Sequence, residues 1–171
     1  MFESRNFIGG YIKKLYEVLA TVFGAGYFPK SPGTFGTFVA LVTYYFLPNY
    51  FFGYNMDMFQ IYLLFILIML SVVSVHICSQ AEKTMGHDDG KIVIDEYFGY
   101  FFSILFLPKT TLILILSFII FRFYDIVKPP PIYQIQKLNA GWGIMIDDVL
   151  AGIFTNVTIR IILIILPLFL S

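Results

Sequence analysis

The feature that most constrains this chain is the length of its uncharged stretches: no Asp, Glu, Lys or Arg occurs from Ser31 to Met56 or from Met58 to Ala81. Crossing about 30 Å of hydrocarbon takes roughly 20 helical residues, so each stretch has the length of a membrane span. In the first, residues 36–52 are the expected helix, with Pro48 at its frayed end. Residues 59–78 supply the second, and Gly53, Asn55 and Asp57 make the turn between them. Pro108-Lys109 divides the next apolar stretch into residues 97–107 and 110–121, each too short to cross alone. It reads as a helical hairpin with its tip at Pro108, entered near Lys91 and left near Lys128. Residues 149–170 form the last span despite Arg160, whose long side chain reaches polar groups inside the bundle or snorkels. The expected fold is an all-α integral membrane bundle of about four to five hydrophobic helices, including the shallow hairpin, in one domain over residues 1–171.

Composition agrees with lipid as the solvent. Hydrophobic residues make up 58% of the chain and charged residues 13%, against about a quarter charged in soluble domains. Eleven Lys/Arg offset eleven Asp/Glu, which leaves no basic face for nucleic acid and excludes that class of partner. Cys78 is the one cysteine, which excludes an intramolecular disulfide and any multi-cysteine zinc or iron–sulfur site. Within residues 1–23, Phe7, Ile8, Tyr11, Ile12, Leu15, Val18, Leu19, Val22 and Phe23 recur at helical spacing. They predict an amphipathic helix lying on the membrane surface or packed on the other segments. Arg5, Lys13 and Lys14 interrupt it in a way that a cleavable signal does not show.

Threading the chain through these spans sorts its charges. Nine of eleven Lys/Arg and ten of eleven Asp/Glu fall on the side of the N-terminus, the exceptions being Lys109, Asp57 and the intrahelical Arg160. The positive-inside rule makes that side cytoplasmic. Much of the sorting is simply charge going to water, but some charges resist that explanation. Asp95 and Glu96 begin one apolar helix, and Arg122 and Asp125 end the next. At about 1.5 Å per residue, the two legs of the hairpin carry all four roughly 18–25 Å from its tip, at or just inside the headgroups. Ionisable groups there are costly unless paired, metal-bound or in a wet cavity; an Arg122–Asp125 pair at i,i+3 is one plain way to meet that cost. Asp147-Asp148 is expected to open the last helix, where carboxylates suit the macrodipole, behind the Gly-rich residues 140–143. Five carboxylates on one interfacial site repel one another without a cation. Hard oxygen ligands of this kind suit Mg²⁺, which keeps several waters and bridges carboxylates to a substrate phosphate.

The neighbouring segments look built for an anion. The Gly/Pro-punctuated loop from Gly24 to Gly36 runs into the first span, so that backbone amides near Gly33 and Thr34, with Lys30, form either an anion site or an ordinary helix start. It is not a P-loop. Lys128, before Pro129-Pro130-Pro131, is a phosphate ligand or a lipid-facing anchor. His76 and His87 have no metal-ligand spacing; His76 reads as a packing residue, and His87 is a loop residue near the site with its role open.

Taken in order, residues 24–36, Asp88 with residues 92–99, Phe121-Arg122 through Asp125 to Lys128-Pro129-Pro130-Pro131-Ile132, and residues 141–148 with Ala151-Gly152 resemble phosphatidylglycerophosphatase A. The resemblance covers residues 24–152 and rests on four motifs in sequence. It implies a bacterial inner-membrane, Mg²⁺-dependent phosphatase converting the lipid phosphatidylglycerophosphate to phosphatidylglycerol. Its acidic motif falls on Asp95 and Glu96, its Arg, Asp and Lys-Pro motif on Arg122, Asp125, Lys128 and Pro129, and its terminal acidic pair on Asp147 and Asp148. Ala140, Thr37 and Asp89 depart from the pattern, the last at the His87 loop. In this reading Mg²⁺ is held by some of Asp95, Glu96, Asp125, Asp147 and Asp148, while Lys30, Gly33, Thr34, Arg122 and Lys128 clamp the phosphate. One carboxylate among Asp95, Glu96, Asp125 and Asp148 stays free to activate water or attack phosphorus. Two competitors are a phospholipid synthase of the CDP-alcohol phosphotransferase type, of which Asp88-Asp89-Gly90 is a partial echo, and a small cation transporter, which needs acids along a midplane path.

Overall fold

The structure is a computed structural model that describes residues 2–47, 56–87, 89–138 and 141–170. Among these residues it is all-helical: α1 (Phe2–Ala20), a 3-10 turn (Ala25–Tyr27), α2 (Pro32–Phe46), α3 (Met56–Met85), α4 (Ile94–Ile104), α5 (Thr111–Val127), the short α6 (Ile132–Ile135) and α7 (Gly141–Leu170). Helix α4 is the hub. It packs most extensively on α7 and also touches α2, α3 and α5, while α1 docks on α3. An α4 that is apolar nearly all round calls for burial on every side. Gly99, Tyr100, Phe101, Phe102, Ser103 and Ile104 are all buried, against Ala40 and Tyr44 of α2, Phe121 of α5 and Ala151 of α7.

Helix α1 takes the packed alternative along its second half. Tyr16, Leu19 and Ala20 join Ile77, Cys78 and Ala81 of α3 in a second apolar cluster, and Tyr11, Ile12, Leu15 and Val18 face outward. The Tyr16 hydroxyl lies 3.3 Å from His76 Nε2 and their rings meet edge to face, so the histidine, expected to pack, is hydrogen-bonded to α1 at an exposed position.

Three boundaries differ from the sequence expectation. The first span begins at Pro32, because a proline's missing N–H is harmless in a first turn, and ends at Phe46. Its 15 residues reach about 22 Å, too short to cross alone. Pro48, Gly53 and Asn55 lie outside the described residues, and Asp57, expected in a turn, stands in the first turn of α3. The hairpin is present, with legs of 11 and 17 residues, but α5 runs on to Val127 and so carries Arg122 and Asp125 inside the helix. The last helix begins at Gly141, not near residue 149. Asp147 and Asp148 therefore stand about two turns in and do not cap an N-terminus. Among the described residues two helices, Gln60–Met85 and Gly141–Leu166, are long and apolar enough to cross a membrane, where four to five were expected.

The break between α4 and α5 explains the polar residues set in apolar helices. Leu105 is extended and Phe106 is left-handed, so the last carbonyls of α4 have no intrahelical partner. Asn156 Nδ2 donates to the carbonyl oxygens of Phe102, Ser103 and Leu105 at 3.4, 3.2 and 2.7 Å. Arg160 Nη2 donates to the Phe106 carbonyl at 3.1 Å, and its Nε holds the Asn156 carbonyl oxygen at 2.8 Å. Gln60 Oε1 accepts from the Phe106 amide at 3.3 Å, and Lys109 Nζ donates to the Leu47 carbonyl, the C-cap of α2. Arg160 thus reaches into the bundle, one of the two options its long side chain allows.

Candidate active site

The site forms at the opposite end of α4, where α4 and α7 meet backbone to backbone at glycines and a glycine of α2 makes room for side chains. A Cβ at Gly99 would stand 2.8 Å from the Asp148 carbonyl oxygen, and one at Gly152 would strike the Gly99 carbonyl. Each glycine follows an acid by four residues, Asp95 to Gly99 on α4 and Asp148 to Gly152 on α7. Residues i and i+4 share a helix face, so the crossing at the glycines turns the two acids toward each other one turn away. On α2, a Cβ at Gly33 would run into the Glu96 carboxylate and stand 3.3 Å from Arg122 Nη1. Glycine at these three positions is what lets α2, α4 and α7 bring their polar groups to one place.

Two kinds of carboxylate result. One oxygen from each of Asp95, Glu96 and Asp148 lies within 4.8 Å of the other two. Asp95 Oδ1, Glu96 Oε2 and Asp148 Oδ2 are buried without a hydrogen-bond partner. Asp125 and Asp147, by contrast, are matched with cations. Arg122 Nη1 stands 2.5 Å from Asp125 Oδ2 and 3.9 Å from Glu96 Oε1. Lys128 Nζ stands 3.4 Å from Asp125 Oδ1 and 2.5 Å from Asp147 Oδ2. The i,i+3 pair foreseen at Arg122 and Asp125 is therefore real, and it forms part of a chain of alternating charge.

Lys128 is aimed by the backbone. It is the C-cap of α5 and sits in the left-handed region at φ 46°, a conformation that costs a non-glycine residue about 1–2 kcal/mol. The turn brings its side chain back beneath Asp125 instead of out toward lipid. Burial alone would lower the ammonium's pKa, but the Asp148, Asp147 and Asp125 carboxylates outweigh that and hold it above the ordinary lysine value. Lys128 is thus a fixed cation at the cavity wall. Arg122 Nε is buried with no partner, so that guanidinium retains an unmet donor beside the unmet carboxylate oxygens.

The five carboxylates and Lys128 line a cavity of 280 Å³, whose wall is completed by the loop carrying His87 and Asp89 and by Ile92, Gln136, Leu138 and Ile144. Of the anion ligands expected from the first loop, Gly33 is at the site. Lys30 is exposed and, with Thr34, borders a separate apolar pocket among Phe28, Phe35 and Phe118. The hydroxyl that does reach the site belongs to Thr37, one turn further along α2. It donates to the Gly33 carbonyl at 2.9 Å and accepts from Arg122 Nη1 at 3.4 Å. In the sequence Thr37 stood out only as a departure from the family pattern. Gln136, which also lines the cavity, left no signal in the sequence.

An array of this kind, oxygen ligands left over beside two fixed cations, suits a doubly charged anion and a divalent metal together. Comparison with known proteins bears on the phosphate-bearing substrate. A family model described as phosphatidylglycerophosphatase A matches residues 18–163. A protein of that name from Escherichia coli K12 is 37% identical over 147 residues, covering 82% of this chain and 78% of its own length. One from Haemophilus influenzae Rd is 36% identical over 146 residues, covering 84% and 85%. A third relative, from Bacteroides thetaiotaomicron, is 28% identical over 151 residues, covering 84% and 91%, and carries a provisional name as a phosphatidylinositol-3-phosphatase. No solved structure matches. With four motifs, a family model over most of its length and two relatives above one-third identity agreeing, the chain belongs to the phosphatidylglycerophosphatase A family of phosphoric monoester hydrolases.

Proposed function

We propose that the protein hydrolyses the phosphomonoester of phosphatidylglycerophosphate, releasing phosphatidylglycerol and inorganic phosphate, at the cytoplasmic face of a bacterial inner membrane. The observation that carries this reading is the split among the five carboxylates: three keep a buried oxygen without a partner, and two are matched to Arg122 and Lys128. Outward-facing apolar side chains on the long helices, among them Phe65 and Met69 on α3 and Ile164 on α7, support a bilayer around them. The Lys/Arg distribution supports a cytoplasmic site on a multi-pass chain. The hairpin of α4 and α5 then dips into the bilayer from that side.

A divalent cation fits the leftover oxygens, which are hard, anionic and too close together to remain unneutralised. Two of Asp95, Glu96 and Asp148 would hold Mg²⁺, leaving the third free as a base, and the ion when bound supplies charge neutralisation on the phosphoryl oxygens. Arg122, braced by Asp125 and Thr37, presents its free edge to those same oxygens, and Lys128, braced by Asp147, presents a point charge. A carboxylate of the acidic group takes the proton of the attacking water. Water otherwise stays out, because Tyr100 and Phe121, both fully buried, close the bundle beneath the site. That aromatic layer also supports hydrolysis over ion conduction, which needs a polar path to the far side.

Purified protein in detergent is expected to release phosphate from phosphatidylglycerophosphate, and excess EDTA is expected to stop it. Faster release from phosphatidylinositol 3-phosphate would reassign the substrate, and release that continues undiminished in chelator would remove the metal.

A further inference from the structure

Departure of a lipid alkoxide requires a proton, and the ion-pair network has no side chain suited to supply it. Arg122 does not deprotonate, Lys128 is held charged by its carboxylate neighbours, and the three acids would be taken up by the cation and by the proton of the attacking water. The remaining wall of the cavity offers another donor. His87, in the loop after α3, lines the same space as Asp95 and Asp148. Its Nδ1 lies 2.5 Å from Glu82 Oε1, on the last turns of α3. The Glu82 side chain is 9% exposed and that of His87 84%, so a buried carboxylate anchors one ring nitrogen while the ring itself stays open. A carboxylate on Nδ1 fixes the imidazole so that Nε2 is the atom exchanging protons.

We propose that His87, oriented by Glu82, is the proton donor to the departing lipid oxygen; this rests on the phosphomonoesterase reading above. As the bond between phosphorus and that oxygen breaks, its electron pair stays on the oxygen, which takes the proton from Nε2. The imidazole is left neutral, with Nδ1–H donating to Glu82. Water forms the new bond to phosphorus and gives its proton to a carboxylate of the acidic group, and the exposed ring regains a proton from solvent. The charged groups facing the ring are Glu82 of α3, Asp89 of its own loop, the acids of α4, α5 and α7, and Lys128.

The test is phosphate release from phosphatidylglycerophosphate by the detergent-solubilised protein across the neutral pH range. His87→Gln is expected to lower kcat on the order of 10²-fold, leave KM unchanged, and remove the alkaline limb of the kcat profile. Glu82→Gln, which keeps the imidazole, is expected to lose less activity and retain that limb. Free imidazole is expected to restore part of the rate to His87→Ala, which separates a proton role from a folding defect. His87→Gln with unchanged kcat and an intact limb overturns the proposal, as does a slow His87→Ala that imidazole leaves unaided. A wild-type protein that releases no phosphate overturns the hydrolase reading beneath it instead.

Discussion

The two ends of α4 carry buried polar groups of opposite character. At the hairpin tip, Asn156, Arg160 and Gln60 each meet a backbone group at the break between α4 and α5, Lys109 meets the C-cap carbonyl of α2, and of these four only Gln60 keeps a buried unpaired atom, its Nε2. At the other end, Asp95, Glu96, Asp148 and Arg122 each keep a buried atom with no partner. The difference teaches how to read polar residues in apolar helices. Where polar side chains meet orphaned backbone groups, polarity holds the fold together; where several unpaired charged atoms gather at one place, the surplus is shaped for something from outside.

Four experiments strain that contrast, beginning with the largest effect. Asp95→Asn and Asp148→Asn are each expected to lower turnover on the order of 10²–10³-fold with little change in thermal unfolding in detergent. Wild-type rates in both variants would make these acids structural and erase the contrast. Arg122→Lys keeps a charge but loses the planar fork that reaches Asp125, Thr37 and phosphate at once, so a fall in kcat/KM of about 10- to 100-fold is expected. An equal rate would mean that a point charge is sufficient there. Thr37→Val, measured against Thr37→Ser, is expected to cost roughly tenfold in kcat, as one brace hydrogen bond is lost, and Thr37→Ser is expected to retain most of the activity. At the tip, Asn156→Leu is expected to remove about 1–3 kcal/mol of stability by orphaning three carbonyls, seen as earlier unfolding, while the folded fraction keeps its turnover. Lost turnover in a stably folded Asn156→Leu would show that the two ends are coupled through α4.

The sequence went a long way toward the site and less far toward the fold. Charges set against apolar runs singled out Asp95, Glu96, Arg122, Asp125, Lys128, Asp147 and Asp148; six of them line the cavity, and Arg122 stands against two of those six. Their division into matched and leftover carboxylates was not legible, because it depends on which helix faces meet. Helix ends misled for the same reason. Periodicity places Asp147 in a helix but does not say where α7 starts, and the Gly-rich residues before it read as a loop. Gly141 and Gly143 are instead its first turn, packed where any Cβ would strike α3 or the Gln136 carbonyl. Lys30 and Thr34 border a different pocket from the acids, because proximity along a loop is not proximity in space.

By itself, the sequence determined the chemistry and its solvent: helices long enough for lipid, one cluster of acids with two cations, and motifs sufficient to name the family. These are properties of composition and spacing, which local physics fixes. The tertiary structure decided which acids are spare, that Thr37 and not Thr34 meets Arg122, and that Arg160 serves the fold. Those outcomes turn on close approach at Gly33, Gly99 and Gly152, and contacts between residues distant in the chain exist only once the helices have packed.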